Sequence, residues 1–230
     1  YTIANDVAAP DAILVRSQKM HDLPIPESVR AIGRAGAGTD NIPVAKLSAR
    51  GVPVFNAPGA NANAVNELVL TALLLASRNL VPALKFVSEM PDSYDKSLHA
   101  LMEEKKKLFA GSELPNHTLG IIGLGAIGSL VAETALKLDM KIIGYDPEIT
   151  VEGAWRLPSQ IKKAESVEEV IKSADFISLH IPLVEKTKHI INAERINQMR
   201  NHVVLLNFAR DGLIDNDALL AGLQSKKIKY

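Results

Sequence analysis

An α/β fold built on parallel sheets is predicted for this chain of 230 residues, and three observations predict it. Short apolar runs alternate with helical patterns before residue 55 and again after residue 117, which is the arrangement of β-α-β units. A long apolar helix separates the two regions. The length also exceeds what one compact core usually holds, so two domains are expected, residues 1–58 and 59–230.

The smaller predicted domain reads as a three-stranded α/β unit of the flavodoxin-like kind. Its strand-like runs are 12–15, 29–32 and 52–55. The segment Thr39-Asp40-Asn41 is expected to cap a helix that starts near Pro43 and ends at Gly51.

The region between the two alternating segments is predicted to be helical. From about Asn61 to Arg78 the sequence is apolar on nearly every side, so both sides of this helix are expected to be covered. Residues 82–113 predict a second, more polar helical stretch.

The segment from Thr118 to Asp146 contains a glycine-rich turn between an apolar strand and a helix. Gly123 permits the tight turn, Gly125 lets an anion approach the backbone, and Gly128 lets the helix pack closely on the sheet. Amide groups at the helix start suit a pyrophosphate, and Asp146 at the tip of the next strand suits the ribose hydroxyls of NAD. The larger domain is therefore predicted to be a Rossmann-type, doubly wound parallel sheet that binds NAD.

The alternation continues to the end of the given sequence. Strands are expected at 175–179 and 202–206 and helices at 167–171, 193–199 and from the cap Asp215 to about Gln224. Residues 228–230 look like the opening of another buried strand, so the sequence is expected to be part of a longer protein.

The composition of the chain argues against several classes of function. The formal net charge is zero, which gives no electrostatic case for nucleic acid or an anionic membrane as a partner. There are no cysteines, so thiolate chemistry and cysteine-based metal sites are excluded; a cytoplasmic location and no bound metal are expected. No apolar run reaches the length of a membrane span.

Ligand-binding groups should gather at the carboxyl ends of the strands, where α/β sheets bind ligands. The arginines at these ends are Arg16, Arg34 and Arg210. Because the planar guanidinium bonds two oxygens at once, these residues predict an anionic substrate that carries a carboxylate and a phosphate.

Several of these segments together resemble the D-isomer-specific 2-hydroxyacid dehydrogenases. The matching segments are AILVRS (12–17), GRAGAGTDNIPV (33–44), VPVFNAPGANANAVNE (52–67), TLGIIGLGAIGSLVA (118–132), IIGYDP (142–147), ADFISLHIPL (174–183) and VVLLNFARDGLID (203–215). The VRS and GRAGAGTDN segments favour the branch of the family that oxidises 3-phospho-D-glycerate. The resemblance implies a cleft between the two domains, with NAD as cofactor and this small molecule as substrate.

The resemblance also implies roles for individual residues. On the substrate side it implies Arg16, Ser17 and Arg34 for the phosphate, the backbone of Gly36 and Gly38 for the carboxylate, and Asn61. On the cofactor side it implies Ala37, Ala126, Ile127, Asp146, His180, Ile181, Thr187, Phe208, Ala209 and Arg210, together with Gly123, Gly125 and Gly128. Arg210 matches the catalytic arginine, and the family's catalytic histidine and its acidic partner would fall beyond Tyr230.

Two alternatives remain open at this point. The chain could act on another 2-hydroxy acid of the glyoxylate or lactate type, or it could be a NAD-sensing binding protein like the corepressors that share the fold. The apolar helix near residues 61–78 also leads us to expect a homo-oligomer, a dimer or tetramer.

Overall fold

The computed structural model describes residues 2–5, 7–90 and 96–230, with the side chains of 96 and 97 left aside. The chain divides into two compact units, Tyr1–Asn63 and Ala64–Tyr230. The division falls after Asn63 and not after residue 58, because the turn that follows the third strand is bonded into the first unit. The Ala57 N–H donates to Gly36 O at 3.0 Å, and the Ala62 N–H donates to Gly59 O at 3.0 Å.

The first unit is a three-stranded parallel sheet with strand order β1-β2-β3. Its elements are β1 (Ala12–Val15), β2 (Ala31–Arg34), α1 (Val44–Ala49) and β3 (Val54–Asn56). The second and third strands begin two residues later than the apolar pattern predicted. The buried side chains of its core are Met20, Val29, Ile32, Ile42, Leu47 and Val52.

The predicted helix cap in this unit was wrong. Pro43 occupies the N-cap position of α1 and no side chain bonds there. Asn41 is instead buried, and its Nδ2 donates to Gln18 O at 2.8 Å and to Arg16 O at 3.4 Å. A buried side-chain amide needs hydrogen-bond partners, and the Asn41 amide finds them in the loop after β1 and does not cap the helix.

Helices lead into the second unit, and the first two residues of the first helix still belong to the first unit. These helices are α2 (Ala62–Ser77), α3 (Leu80–Ser88) and α4 (Lys96–Lys105), followed by a 3₁₀ turn (Lys106–Phe109). The single stretch predicted over 82–113 is thus at least two helices, and residues 91–95 within it lie outside the described residues. The expectation that both sides of α2 are covered was wrong for the described chain, since α2 buries Val69 and Leu73 while Leu68 is 53% exposed.

The rest of the second unit is a five-stranded, all-parallel sheet with strand order β6-β5-β4-β7-β8. Its strands are β4 (Thr118–Ile122), β5 (Lys141–Tyr145), β6 (Lys162–Lys163), β7 (Phe176–Leu179) and β8 (Val204–Asn207), and its helices are α5 (Ala126–Leu136), α6 (Val151–Trp155), α7 (Val167–Ser173), α8 (Ala193–Gln198) and α9 (Asn216–Gln224). The order reverses at β4, as the predicted Rossmann-type, doubly wound sheet requires. The elements α6 and β6 were missed because both are short and carry no apolar periodicity.

The core lies on both faces of this sheet. Leu119 and Ile121 of β4 pack in a cluster with α2 and α5, whereas Ile122 belongs to a second cluster that contains Val170 of α7. Burial on both faces explains why these strands read as continuous apolar runs and do not alternate. The expected strand at the end of the sequence pairs with β8, since the Leu205 N–H donates to Tyr230 O at 2.9 Å and Val203 forms a parallel bridge with Ile228.

Candidate functional site

Four strands of the larger sheet end in register at one edge. Ile122 pairs with Tyr145 on one side and with Leu179 on the other, and Leu179 pairs with Asn207. The residues that immediately follow are therefore neighbours along the carboxyl edge of the sheet. They are Gly123, Asp146, His180 and Phe208.

Two glycines of the loop after β4 are required by packing. Gly123 has φ +97°, and a Cβ there would lie 2.6 Å from the carbonyl oxygen of His180. A Cβ on Gly128 would lie 1.9 Å from the carbonyl oxygen of Gly123. Both observations confirm the tight turn and the close helix–sheet approach that the spacing predicted.

Gly125 is different, because packing does not explain it. It is the N-cap of α5, no side chain bonds at that cap, and a Cβ there would have nothing within 4 Å. The first-turn amides of Ala126 and Ile127 have no acceptor within the helix, and the helix dipole adds positive potential at the same place. The surface above Gly125 is therefore open to an anion.

Asp146 lies beside this loop at the tip of β5. Its Oδ2 accepts a hydrogen bond from the Leu124 N–H at 2.8 Å, and its Oδ1 accepts one from the Glu148 N–H at 2.9 Å. A cleft of about 590 Å³ opens next to it, lined among others by Gly125, Ala126, Ser129, Asp146, Thr150 and Arg156. Amide donors for a pyrophosphate and a fixed carboxylate for ribose hydroxyls meet at one cleft, so these residues fit NAD.

His180 follows β7 and is held from inside the sheet. Its Nε2 lies 2.8 Å from Oγ of Ser178, which has no exposed surface. Burial lowers the pKa of His180 to about 4, so its ring is neutral at pH 7. Sequence reasoning missed Ser178; the available signal was a hydroxyl in a strand that is otherwise apolar.

The loop after His180 is held together by hydrogen bonds between its own residues. Ile181 lies against Gly123, with its Cγ2 2.8 Å from the position a Cβ would take. The Thr187 hydroxyl donates to Pro182 O at 2.6 Å and accepts from the Val184 N–H at 2.9 Å. This hydroxyl therefore closes the loop, and the predicted contacts of Ile181 and Thr187 with the cofactor stay predictions.

The loop after β8 carries Phe208, Ala209 and Arg210. Phe208 is 38% exposed, and a cleft of about 560 Å³ lies beside the loop. The Arg210 guanidinium donates from Nη1 to Ala209 O at 2.8 Å. Asn207, which sequence reasoning did not single out, bonds to both Ala209 and Arg210.

The first unit brings some of the predicted substrate residues together. Arg34 Nε donates to Arg16 O at 3.0 Å, and the Arg34 guanidinium lies so close to Gly36 that a Cβ there would be 2.1 Å from Nη1. Ala37 O accepts from Asn56 Nδ2 at 2.7 Å. The remaining predicted positions of this unit are exposed or partly exposed, namely Ser17, Gly38 and Asn61.

The described residues contain neither a metal-binding cluster nor a single membrane-spanning helix. No group of three or more His, Asp or Glu side chains in the part of the chain that the structure describes is arranged to hold a metal ion. No single described helix is long and apolar enough to span a membrane, and only α2 and α3 taken together, bent by 73°, have the required length and composition.

The fold and this site define the nucleotide-binding domain of a NAD-dependent dehydrogenase. Residues 71–230 match the family described as D-isomer specific 2-hydroxyacid dehydrogenase, NAD binding domain. The chain belongs to this family, which confirms the resemblance read from its motifs, and NAD is its cofactor.

Two proteins with similar sequences and one solved structure each align with most of the chain. A D-3-phosphoglycerate dehydrogenase of Methanocaldococcus jannaschii is 40% identical over 88% of this chain and 36% of its own length. A hydroxypyruvate reductase of Thermotoga maritima is 38% identical over 95% of this chain and 66% of its own length. The holo structure of D-mandelate dehydrogenase from Rhodotorula graminis superposes with a TM-score of 0.76 at 29% identity, covering 89% of this chain and 58% of that one. The chain thus spans about a third to two thirds of the length of these proteins.

Proposed function

We propose that the protein oxidises the C2 hydroxyl of 3-phospho-D-glycerate with NAD, giving 3-phosphohydroxypyruvate at the entry to serine biosynthesis. The observation that carries the proposal is the pair of arginines at neighbouring strand ends of the first unit. Arg34 pairs with Val15 in the sheet, Arg16 follows Val15, and Arg34 Nε bonds Arg16 O. Two arginines at neighbouring strand ends, one of them with its guanidinium bonded to the backbone of the other, suit a substrate with more than one anionic group.

The residues at the carboxyl edge of the larger sheet would bind the substrate carboxylate and the cofactor. Arg210 would bind the substrate carboxylate and stabilise the charge that develops on the C2 oxygen. The open amides above Gly125 and the carboxylate of Asp146 would bind the cofactor, and His180, neutral and bonded to Ser178, would contact it without adding charge. NAD supplies the hydride acceptor, so the protein's task is to orient C2 and to exclude water.

A second candidate is reduction of an unphosphorylated 2-oxo acid. The hydroxypyruvate reductase from Thermotoga maritima covers 95% of this chain at 38% identity, so the name of the relative does not decide between the two substrates. The two candidates differ in whether a phosphate must be bound.

Replacing Arg16 separates these candidates. For Arg16→Ala in the native protein we expect KM for 3-phospho-D-glycerate to rise about tenfold or more with a much smaller change in kcat, because a charge-assisted bond to the phosphate is lost. Arg30→Ala is the matched control, since Arg30 is an exposed arginine just before β2, at the other end of that strand. An unchanged KM for the phosphorylated acid, with faster turnover of hydroxypyruvate, would favour the second candidate.

Residues 1–230 alone are expected to bind NADH but to turn over substrate very slowly. His180 is the described histidine at a strand tip, and its ring is bonded to Ser178 and neutral, so it is a poor proton acceptor for the C2 hydroxyl. Full activity from this segment would contradict that expectation.

We also propose that the protein is a homo-oligomer. No residue of α3 is buried in the described chain, and its apolar side chains Val81, Leu84 and Val87 are 56–64% exposed. Apolar patches of this kind mark interaction surfaces. Light scattering of the native protein should give at least twice the chain mass, and Leu84→Glu should lower that mass.

A further inference from the structure

The geometry around β8 assigns a positioning role to Asn207. We propose that the Asn207 side chain holds the Ala209–Arg210 segment in the conformation in which the Arg210 guanidinium can bind a carboxylate. This inference rests on the proposed function of Arg210. Asn207 is not expected to touch the substrate itself.

The side-chain amide of Asn207 bonds both ends of this two-residue segment. Its Oδ1 accepts from the Ala209 N–H at 3.1 Å, and its Nδ2 donates to Arg210 O at 2.7 Å. Side chains of asparagine often close turns in this way, because the amide carries one acceptor and two donors. Here both functions are used within three residues, so the turn after β8 is closed by one side chain.

The carbonyl of Ala209 lies between the two backbone groups that Asn207 bonds, and it accepts a hydrogen bond from the Arg210 guanidinium. Ala209 O accepts from Arg210 Nη1 at 2.8 Å. The orientation of the Ala209–Arg210 peptide group decides where that carbonyl points, and Asn207 bonds the backbone on either side of it. The amide therefore acts on the guanidinium through the intervening peptide.

The chain beyond Arg210 is fixed as well. A 3₁₀ turn (Asp211–Leu213) follows at once, and Ile214 forms a parallel bridge with Ile191. Arg210 is thus the last residue of a three-residue loop that has β8 on one side and a 3₁₀ turn on the other. Loss of the Asn207 hydrogen bonds should therefore change mainly the conformation of the loop residues 208–210.

Asn207 also has a precise place in the sheet. It is the last residue of β8 and pairs with Leu179 of β7, next to the tip where His180 follows. It is only partly buried, so its replacement by a residue of similar size, as in Asn207→Asp, is expected to leave the core intact. A loss of function on replacement would then result from the loss of the two side-chain hydrogen bonds.

The test compares three variants of the native protein with 3-phospho-D-glycerate and NAD as probes. Asn207→Ala removes both bonds, and we expect kcat/KM to fall about tenfold to a hundredfold, with the loss mainly in kcat and the affinity for NADH within about threefold. Asn207→Asp keeps an acceptor for the Ala209 N–H but places an oxygen against Arg210 O, so we expect it to be no better than Asn207→Ala. Asn201→Ala is the matched control, because Asn201 lies in the turn that precedes β8 and its amide oxygen accepts a surface bond from Lys227.

A double-mutant cycle distinguishes positioning from a general structural role. In an Arg210→Ala background, Asn207→Ala should lower kcat/KM by less than about threefold, since the group it positions is already gone. Full additivity of the two losses, or wild-type kinetics for both Asn207 variants, would overturn the inference. If the unmodified native protein oxidised no 2-hydroxy acid, the proposed function would fail instead, so the two failures give different results.

Discussion

The backbone N–H of Leu124 donates to the Asp146 carboxylate at 2.8 Å, and this bond joins the glycine loop to the neighbouring strand tip. Leu124 lies between Gly123 and Gly125, so the acid is fixed relative to the loop before any ligand arrives. A second amide, that of Glu148, holds the other carboxylate oxygen at 2.9 Å. A preorganised carboxylate loses little freedom on binding, which favours affinity for the ribose of NAD.

The carboxylate of Asp146 is predicted to set cofactor preference. For Asp146→Ser we expect NADH affinity to fall about tenfold to a hundredfold, because charge-assisted hydrogen bonds to the ribose are lost. NADPH should lose less, since the repulsion of its extra phosphate is relieved. Calorimetric titration with both nucleotides measures this, and Asp217→Asn, a change of an exposed acid in the first turn of α9, is the control. Equal losses for the two nucleotides would contradict the prediction.

Replacing Gly125 or Gly128 by alanine is predicted to have different effects, the first on NADH binding and the second on stability. A Cβ at Gly125 meets no protein atom within 4 Å, so Gly125→Ala should fold with an unchanged melting temperature yet bind NADH about tenfold more weakly or worse. A Cβ at Gly128 would lie 1.9 Å from a backbone oxygen, so Gly128→Ala should lower the free energy of unfolding by about 3 kcal/mol. Urea unfolding and NADH titration of both variants test this, and the idea fails if Gly125→Ala binds NADH normally.

His180 should make stability depend on pH in a defined window. Burial lowers its pKa from 6.5 to about 4, so the unfolded chain binds more protons than the folded one between these values. Stability is therefore fully present above pH 6.5 and is lost as the pH falls toward 4, by on the order of 2 to 3 kcal/mol from this group. Urea unfolding at pH 7 and pH 5 should show a smaller difference for His180→Gln than for the wild type.

The control for the pH experiment is His99→Gln. His99 lies exposed on α4, so its replacement should leave the pH dependence close to that of the wild type. An identical pH dependence in His180→Gln and the wild type would show that another group is responsible.

Arg210 is predicted to matter more for catalysis than for its contact with the cofactor. Arg210→Lys keeps the charge but loses the planar pair of donors, so kcat/KM for the 2-hydroxy acid should fall about a hundredfold or more in the native protein. NADH affinity should change by less than about threefold, because the amide donors for the pyrophosphate are on α5. Arg200→Lys serves as the control, since Arg200 pairs with Asp175 at the amino ends of the strands. Normal turnover by Arg210→Lys would remove Arg210 from the proposed mechanism.

Much of the fold could be predicted because the relevant patterns are local. The β1 strand and the Asp215 cap were found at their predicted positions, since one apolar run or one capping side chain specifies each. The loop glycines were likewise interpreted from spacing, and the structure gives the backbone clashes that require Gly123 and Gly128. The cap at Asn41 was wrong because a distant loop, and not the adjacent helix, needed its amide.

The sequence by itself determined the order of most strands and helices, though not α6 and β6, together with the glycine turn, its acid at the next strand tip and the arginines at strand ends. These features depend on residues that are neighbours in the chain. Only the tertiary structure decided that Ser178 supports His180, that the Leu124 amide fixes Asp146, and that Arg34 bonds the carbonyl of Arg16. The last two are bonds between residues far apart in sequence, and they form only after strand register brings their backbones together. The Ser178 contact is local, yet it was invisible in the pattern because a buried hydroxyl reveals its partner only once the strand is packed on both faces.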